Sequence, residues 1–481
     1  MYFPVHHGII AHQIVISITL VLSAKVWCFY INNSVGLYDR RSVRRFLSDP
    51  DRVIILLVVI ALIERIVMFF HIGPGAVGGS DDVAYIRSGI VFANTGVLSV
   101  WSDYPTAKIM PGMPVLCGVF SLIFGDGAAY VNALRCCMIA FGCASIYVFY
   151  KCCGIVLPKW YGIFAAASFL LPNWAWSDNN VLTEAPYLLF YLLTFYYTLR
   201  MGEEPQSPVS RGDTAGYVIS FMLALMFRPN ILSMPLFTAV YLLLFKKRSV
   251  RTLARPALAL VCALLMFVIP WSVRNYRIFH QFIPITNGAA NPTLLGTYQG
   301  KGAPKDDELD YETNVYSVIR EEYSEYFDEN GVINDLSAGE MLTEATDKLK
   351  TQYRLHEWWK RDPKGLLWAY LISKPACMIN WVWCWLPNPP LYYTLHYISC
   401  INFACCILSV ILSFASRRKR GITLFLVFIY WVNLYVFAFS FASERYSAML
   451  VPFRYMLCAV GLYVAVELVR SRRAAKPEHA A

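Results

Sequence analysis

Charge is scarce in this chain, and the scarcity excludes most soluble architectures. Only 15% of its 481 residues are Asp, Glu, Lys or Arg, whereas a soluble globular domain carries about 25%. So little charge cannot cover a water-facing surface. A P-loop is also missing, which argues against a nucleotide-driven pump. No Cys-x-x-Cys pair or Cys/His cluster is present, so no metal centre is implied. The 14 cysteines include Cys136, Cys137, Cys152, Cys153, Cys405 and Cys406 in or beside apolar runs, where they read as small core residues. The N-terminus lacks the basic segment of a cleavable signal peptide, and no internal repeat is found.

Apolar residues, by contrast, are abundant: 57% of the chain is hydrophobic and the mean hydropathy is +0.46. Repeated apolar runs approach the roughly 20-residue length that spans a bilayer. The chain therefore reads as an all-α polytopic membrane protein. Its net charge of +10 lies in short basic clusters between apolar runs. Such clusters report membrane orientation and are no signature of nucleic-acid binding.

Ile9–Ile31 reads as a first span, followed by Arg40, Arg41, Arg44, Arg45 and Arg52. This is the strongest cytoplasmic signal in the chain. Val53–Ile72 then runs outward and delivers Asp81 and Asp82 to the extracytoplasmic face. Inside that span, Glu64 and Arg65 are expected to face other helices. Lys151, Lys159, the KKRSVR run of residues 246–251, Arg417–Arg420 and Arg470–Arg473 must then all be cytoplasmic. That parity requires Pro114–Phe124 to stay on one side, as its shortness also implies. It likewise makes Leu366–Leu386, interrupted at Lys374-Pro375, a helix on the outer surface. The remaining spans are Tyr130–Tyr150, Leu157–Trp176, Leu182–Leu199, Tyr217–Phe227, Ile231–Phe245, Pro256–Trp271, Leu391–Phe414, Ile422–Phe441 and Met449–Leu468. About eleven transmembrane helices result, with interfacial helices in the first outer loop and a small extracytoplasmic loop region.

Four regions follow: an N-terminal span and basic loop (1–52), a core transmembrane module (53–272) with an outer loop at 73–129, an extracytoplasmic segment (273–390) and C-terminal spans with a basic tail (391–481). The polar, acid-rich stretch from Val273 to Pro363 reads as a lid. Ser337 and Glu340 form a capping box for a helix running through Trp358.

This topology places Asp81, Asp82, Lys108, Asp178, Glu184, Arg228, Arg274, Glu444 and Arg445 at the outer ends of spans. Carboxylates and cations on one face suit attack by a hydroxyl or amine on a carbon bonded to phosphate. A carboxylate removes the nucleophile's proton, and cations neutralise the leaving phosphate. Each residue also has a plainer reading. Ser80-Asp81-Asp82 can cap a helix, Glu184 can sit on a helix dipole, and the arginines can be interfacial anchors.

The motifs resemble a known family. Asp81-Asp82-Val-Ala-Tyr85, Gly96, Pro111-Gly112-Met-Pro114 and Phe124-Gly125 resemble the first outer loop of GT-C fold glycosyltransferases, in particular protein O-mannosyltransferase-like and lipid A aminoarabinose transferase-like enzymes. Arg228-Pro229-Asn230, Pro270-Trp271-Ser-Val-Arg274-Asn275-Tyr276 with Gly288 and Gly296, and Glu444-Arg445-Tyr446 with Pro452 follow in the family's order. The resemblance implies a GT-C fold and inverting transfer of a sugar from a polyprenyl-phosphate-linked donor to an extracytoplasmic glycan, lipid or protein. It makes Asp81 the general base, Asp82 its companion and Glu184 the second-loop acid. Arg228, Arg274, Arg445 and Lys108 are expected near the donor phosphate, with Tyr85 and Tyr446 positioning substrate. No cofactor is required; a divalent metal, used by the oligosaccharyltransferase branch, is not implied. The companion Asp in place of the commoner Glu and the extra N-terminal span depart from the family. The lack of an appended domain of the eukaryotic kind points to a bacterial inner membrane, with the active site on its outer face. The rival readings are a transporter or flippase of lipid-linked sugars, which predicts charged groups near the midplane, and an O-antigen polymerase or ligase, which depends on outer-loop Arg and His.

Overall fold

The computed structural model describes residues 46–204, 207–333, 338–380 and 389–474. The expected span Ile9–Ile31 and the arginines at 40–45 lie outside them. The described residues are almost entirely helical, and their extended pairing is limited to one isolated bridge, Phe327 with Ile333. In a bilayer interior every backbone N–H and C=O must be satisfied within the segment, which favours this all-helical solution.

Among the described residues, six helices are long and apolar enough to cross a membrane. They are α1 (Pro50–Ile72), α4 (Ala128–Val156), α10 (Val250–Phe279), α16 (Pro389–Ser416), α17 (Arg420–Phe439) and α19 (Val451–Ala474). Of the about eleven expected spans, Ile9–Ile31 lies outside the described residues, and several of the others are shorter or divided helices. Leu157–Trp176 is divided into α5 (Lys159–Ala166), a 3-10 turn and α6 (Pro172–Ser177). Pro172 cannot continue the helix before it, because it has no N–H and its ring clashes with the preceding turn. Ile231–Phe245 is likewise a 3-10 turn, α9 (Met234–Val240) and a π turn, in a stretch holding Pro229 and Pro235. Two 17-residue helices, α7 (Glu184–Arg200) and α8 (Arg211–Phe227), complete the inner bundle.

The bundle centres on α4 and α7, which pack along each other. Tyr130, Leu134, Ile146 and Phe149 of α4 and Leu192 and Phe195 of α7 are buried. Lipid supplies no hydrophobic drive between helices, so close packing and buried hydrogen bonds hold such a bundle. Thr194 of α7 accordingly donates to Ser220 of α8 at 3.1 Å, and Thr198 meets Thr238 of α9 at 2.9 Å. The outward faces of α1 (Ile55, Ile63, Phe70) and α10 (Leu258, Met266, Ile269) are exposed and apolar, as a lipid-facing surface requires.

The first outer loop holds α2 (Asp81–Thr95) and α3 (Gly112–Phe124), packed against each other. With 13 residues, α3 is too short to span, in keeping with the expectation for Pro114–Phe124. The segment after α10 holds α11 (Ala290–Gly296), α12 (Ser317–Glu322) and α13 (Gly339–Arg361). The helix through Trp358 forms, but its cap differs from the expected box. Its N-cap is Ala338 with no side-chain cap, and Glu340 instead accepts the Ala107 N–H at 2.8 Å. Ser337 lies outside the described residues. Lys374-Pro375 does not interrupt its segment: α14 (Pro363–Trp368), a π turn and α15 (Lys374–Ile379) follow without a break. Between α17 and α19 sits the single turn α18 (Glu444–Ser447).

Candidate active site

Four side chains from four remote stretches meet at one end of the bundle. Asp81 opens α2, Glu184 opens α7, Arg228 ends α8, and Arg445 lies in α18. The Arg445 Nη1 donates to Asp81 Oδ2 at 2.6 Å. Its Nε and Nη2 donate to Glu184 Oε1 and Oε2 at 2.5 and 3.2 Å. Arg228 Nη2 reaches the same Glu184 Oε1 at 2.5 Å, and its Nε donates to Thr183 Oγ1 at 2.6 Å. Glu184 is therefore gripped by two guanidiniums, Arg445 in the fork geometry that carboxylates favour and Arg228 through a single bond. The Tyr446 ring lies 5.4 Å from the Arg228 guanidinium and stacks on Phe437.

Exposure separates the members. The Glu184 side chain is 4% exposed, Arg228 11% and Arg445 12%, while Asp81 is 39% exposed. Burial alone would lower the Arg445 pKa, but the carboxylates of Glu184 and Asp81 reverse that and raise it, so the guanidinium stays charged. Burial, and then the Asp81 charge, push the buried Tyr85 hydroxyl upward, which keeps it a neutral phenol. Glu444, partly buried, has its carboxyl pushed up to about 7 by burial.

Asp82 is engaged by backbone instead. It is buried and accepts the backbone N–H groups of Gly78 and Ser80, the second at 2.9 Å. It closes the turn that leads into α2, while the N-cap Ser80 makes no side-chain cap bond. Adjacent carboxylates thus have different surroundings: Asp82 fixes the loop, and Asp81 projects from it.

Lys108 and Arg274 belong to a second assembly. Arg274 Nη1 donates to the Thr106 carbonyl and to Asn275 Oδ1, both at 2.7 Å, and its guanidinium lies 5.0 Å from the Trp271 ring. Trp271 Nε1 donates to the Ile285 carbonyl at 2.6 Å and Asn275 Nδ2 to the Ile283 carbonyl at 2.8 Å. The Pro-Trp-x-x-Arg-Asn motif therefore bolts residues 283–285 and 106 to the end of α10. Thr286 Oγ1 donates to the carbonyls of Ala107 and Lys108. A Cβ on Gly288 would fall 2.1 Å from the Lys108 oxygen, so only glycine allows the approach. Gly296 is similarly placed against the Ser440 carbonyl, which a Cβ would meet at 1.8 Å.

Of the nine candidate residues, the structure brings Asp81, Glu184, Arg228, Arg445 and Tyr446 together by direct contact. Tyr85 joins them through its electrostatic coupling to Asp81. Thr183, which orients Arg228, was not foreseen; its place immediately before Glu184 was the available signal. The metal question concerns donor sets: among the described residues no group of three or more His, Cys, Asp or Glu side chains converges.

Comparison with known proteins follows from this geometry. Residues 106–272, roughly a third of the chain, match the family described as dolichyl-phosphate-mannose-protein mannosyltransferase. The fold is similar to the archaeal oligosaccharyltransferase AglB from Archaeoglobus fulgidus, solved with an inhibitory peptide and a dolichol-phosphate. The identity is 13% and the TM-score 0.52, over 89% of this chain and 52% of that one. The chain has the GT-C fold. It spans about half the length of that archaeal enzyme. ArnT from Cupriavidus metallidurans bound to undecaprenyl phosphate also matches, at 14% identity and a TM-score of 0.37, over 87% of this chain and 79% of that one. By sequence, the chain matches none of the curated proteins. The family match begins after Asp81 and ends before Arg274 and Arg445. Glu184 and Arg228 lie inside the match, whereas Asp81 and Arg445 join the cluster from outside it.

Proposed function

We propose that this protein is a membrane glycosyltransferase that transfers a sugar from a polyprenyl-phosphate-linked donor to an extracytoplasmic acceptor, with Asp81 as general base and inversion at the anomeric carbon. The observation that carries the reading is the contrast within one ion-pair network. Asp81 is accessible and tied to Arg445, while Glu184 is sealed between Arg445 and Arg228.

In this mechanism the free Asp81 oxygen takes the proton of the acceptor hydroxyl or amine. The acceptor atom forms a bond to the anomeric carbon as the carbon–phosphate oxygen bond breaks. The electron pair leaves with polyprenyl phosphate, a weakly basic group that needs no general acid. Arg445 and Arg228 stabilise the developing charge. Both oxygens of Glu184 are engaged by guanidiniums, which suits it to orienting the arginines rather than to accepting a proton. The two carboxylates and two guanidiniums are neutral together, so the anionic donor must draw an arginine away from a carboxylate when it binds. That exchange would loosen Arg445 from Asp81 and free the base where the phosphate arrives. Asp82 holds the Asp81 loop, and Tyr85, buried beside Asp81, is the substrate-positioning phenol. Lys108 and Arg274, on the neighbouring assembly, support the loop between α2 and α3.

The membrane is proposed to be a bacterial inner membrane, with the cluster on its outer side and segment 273–390 as the lid. A transporter of lipid-linked sugars would call for charges distributed toward the midplane, whereas these four meet at the helix ends of one side.

The test is transfer by purified protein in detergent, given a panel of polyprenyl-phosphate sugars and scored by free polyprenyl phosphate. Acceptor-dependent release with one donor, and a product of inverted anomeric configuration, is the expected result. Tight donor binding with no release from any donor would instead favour the flippase.

A further inference from the structure

The segment after α10 encloses a half-open cavity of about 520 Å³ that the proposed donor site does not use. This is the size range of small-molecule sites, roughly 300–1,000 Å³. Its walls are α11, the end of α12, α13 and the turn after α10. Glu344, Lys348 and Gln352 line it at four-residue spacing along one face of α13, facing Thr293 and Asn287. Tyr323 adds an aromatic wall.

Two oxygen acceptors at this cavity are buried and lack a hydrogen-bond partner: Asn287 Oδ1 and Glu344 Oε2. Buried polar atoms are normally paired, so each orphan calls for an explanation. The second Glu344 oxygen is fixed by the Ala290 N–H at 2.7 Å, which holds the carboxylate in place. Burial pushes the Glu344 carboxyl upward, while the Lys108 charge acts in the opposite direction. Lys108 of the first outer loop is therefore close enough to influence the cavity. The same turn joins the two regions, since Asn287 N donates to the Ala107 carbonyl at 3.1 Å and Gly288 sits against Lys108.

We infer that this cavity binds the glycan acceptor, one or two sugar residues deep, at a site joined to the first outer loop through Asn287 and Gly288. The inference rests on the glycosyltransferase reading above. Sugar hydroxyls both donate and accept, so they can accept from Lys348 and Gln352 on the α13 face, while a small turn of the Asn287 or Glu344 side chain would bring its unpaired oxygen within reach of a hydroxyl donor. The apolar face of a pyranose ring fits against Tyr323 and the apolar lining of Ile319 and Leu349. A peptide acceptor is the poorer match, because extended peptides bind by adding to a sheet edge or lying in a groove. The described residues offer one isolated bridge and a compact cavity.

The experiment uses the full chain in detergent and a panel of methyl glycosides of mono- and disaccharides, with saturation-transfer NMR as the readout. Polyprenyl-phosphate binding is measured in parallel. At least one glycoside should receive saturation from the protein. Thr293→Trp, which fills the cavity, should weaken its binding at least tenfold and leave lipid-phosphate binding unchanged. Glu344→Gln keeps the shape and the Ala290 bond and should weaken saccharide binding severalfold, which guards against loss through misfolding. Binding of no glycoside, equal binding by the Trp variant, or saturation confined to a peptide panel would each overturn the inference. Failure of the wild-type protein to bind any polyprenyl phosphate would count separately, against the donor reading.

Discussion

Two arginine–carboxylate assemblies sit at the same end of this bundle and differ in one decisive respect. Arg65 and Asp178 form a pair at 2.8 Å whose side chains are 0% and 3% exposed. Arg65 also donates to the carbonyls of Ala61 and Phe169, so its guanidinium is enclosed by protein partners. Arg445 pairs with Asp81 at 2.6 Å, but Asp81 is 39% exposed. A sealed pair holds helices together, because removing one partner leaves a charge stranded in a medium that cannot solvate it. An open pair leaves one carboxylate oxygen within reach of a substrate. Residue type alone does not distinguish them, whereas exposure does.

The comparison can be broken most sharply at Asp81. Asp81→Asn keeps the shape and should lower transfer by about 100- to 10,000-fold, the range for a lost general base, with little change in melting temperature. Arg65→Met should do the reverse. It strands Asp178 and should cost about 3–5 kcal/mol of stability, seen as a lower melting temperature and a poor yield of folded protein. If Arg65→Met protein folds normally, the pair is not the brace described here.

Glu184→Gln probes the middle of the open assembly. Losing the charge that orients Arg228 and Arg445 should reduce transfer by about 10- to 100-fold, matching a lost charged hydrogen bond of about 1.5–3 kcal/mol. Donor KM should rise, whereas a general base would lower kcat alone. An effect confined to alkaline pH is expected at Lys374, which is 2% exposed and donates to the Gly296 and Ser440 carbonyls at 3.2 and 2.9 Å. Burial pushes its ammonium down from 10.5 to about 7. Between those values the unfolded chain binds more protons than the folded one, so stability rises with pH across this window. Melting temperatures of Lys374→Met should lack that part of the rise between pH 7 and 10.5. An unchanged pH profile would show that the lysine stays charged in the folded state.

Much of this was legible from the chain. The membrane class, the shortness of Pro114–Phe124 and the convergence of Asp81, Glu184, Arg228 and Arg445 at one end follow from apolar run length and charge parity. Those signals are local or cumulative, so no contact need be known. Less legible were the breaks within Leu157–Trp176 and Ile231–Phe245, where hydropathy stays high and only the prolines hint at a division. Long-range pairing was hidden altogether: Arg65 and Asp178 lie 113 residues apart. Glu340 read as a local cap because its spacing fits one, yet its carboxylate bridges to Ala107 across 233 residues. The different surroundings of Asp81 and Asp82 likewise depend on which way a turn faces, which composition does not encode.

The most direct test measures transfer and melting temperature together on Asp81→Asn and Asp178→Asn, in the same detergent and with the same donor. The account predicts that Asp81→Asn melts like the wild type but releases almost no polyprenyl phosphate. It predicts that Asp178→Asn melts lower, while its folded fraction still transfers. Normal release by folded Asp81→Asn, or a melting loss as large as that of Asp178→Asn, would contradict the assignment of the open pair to catalysis.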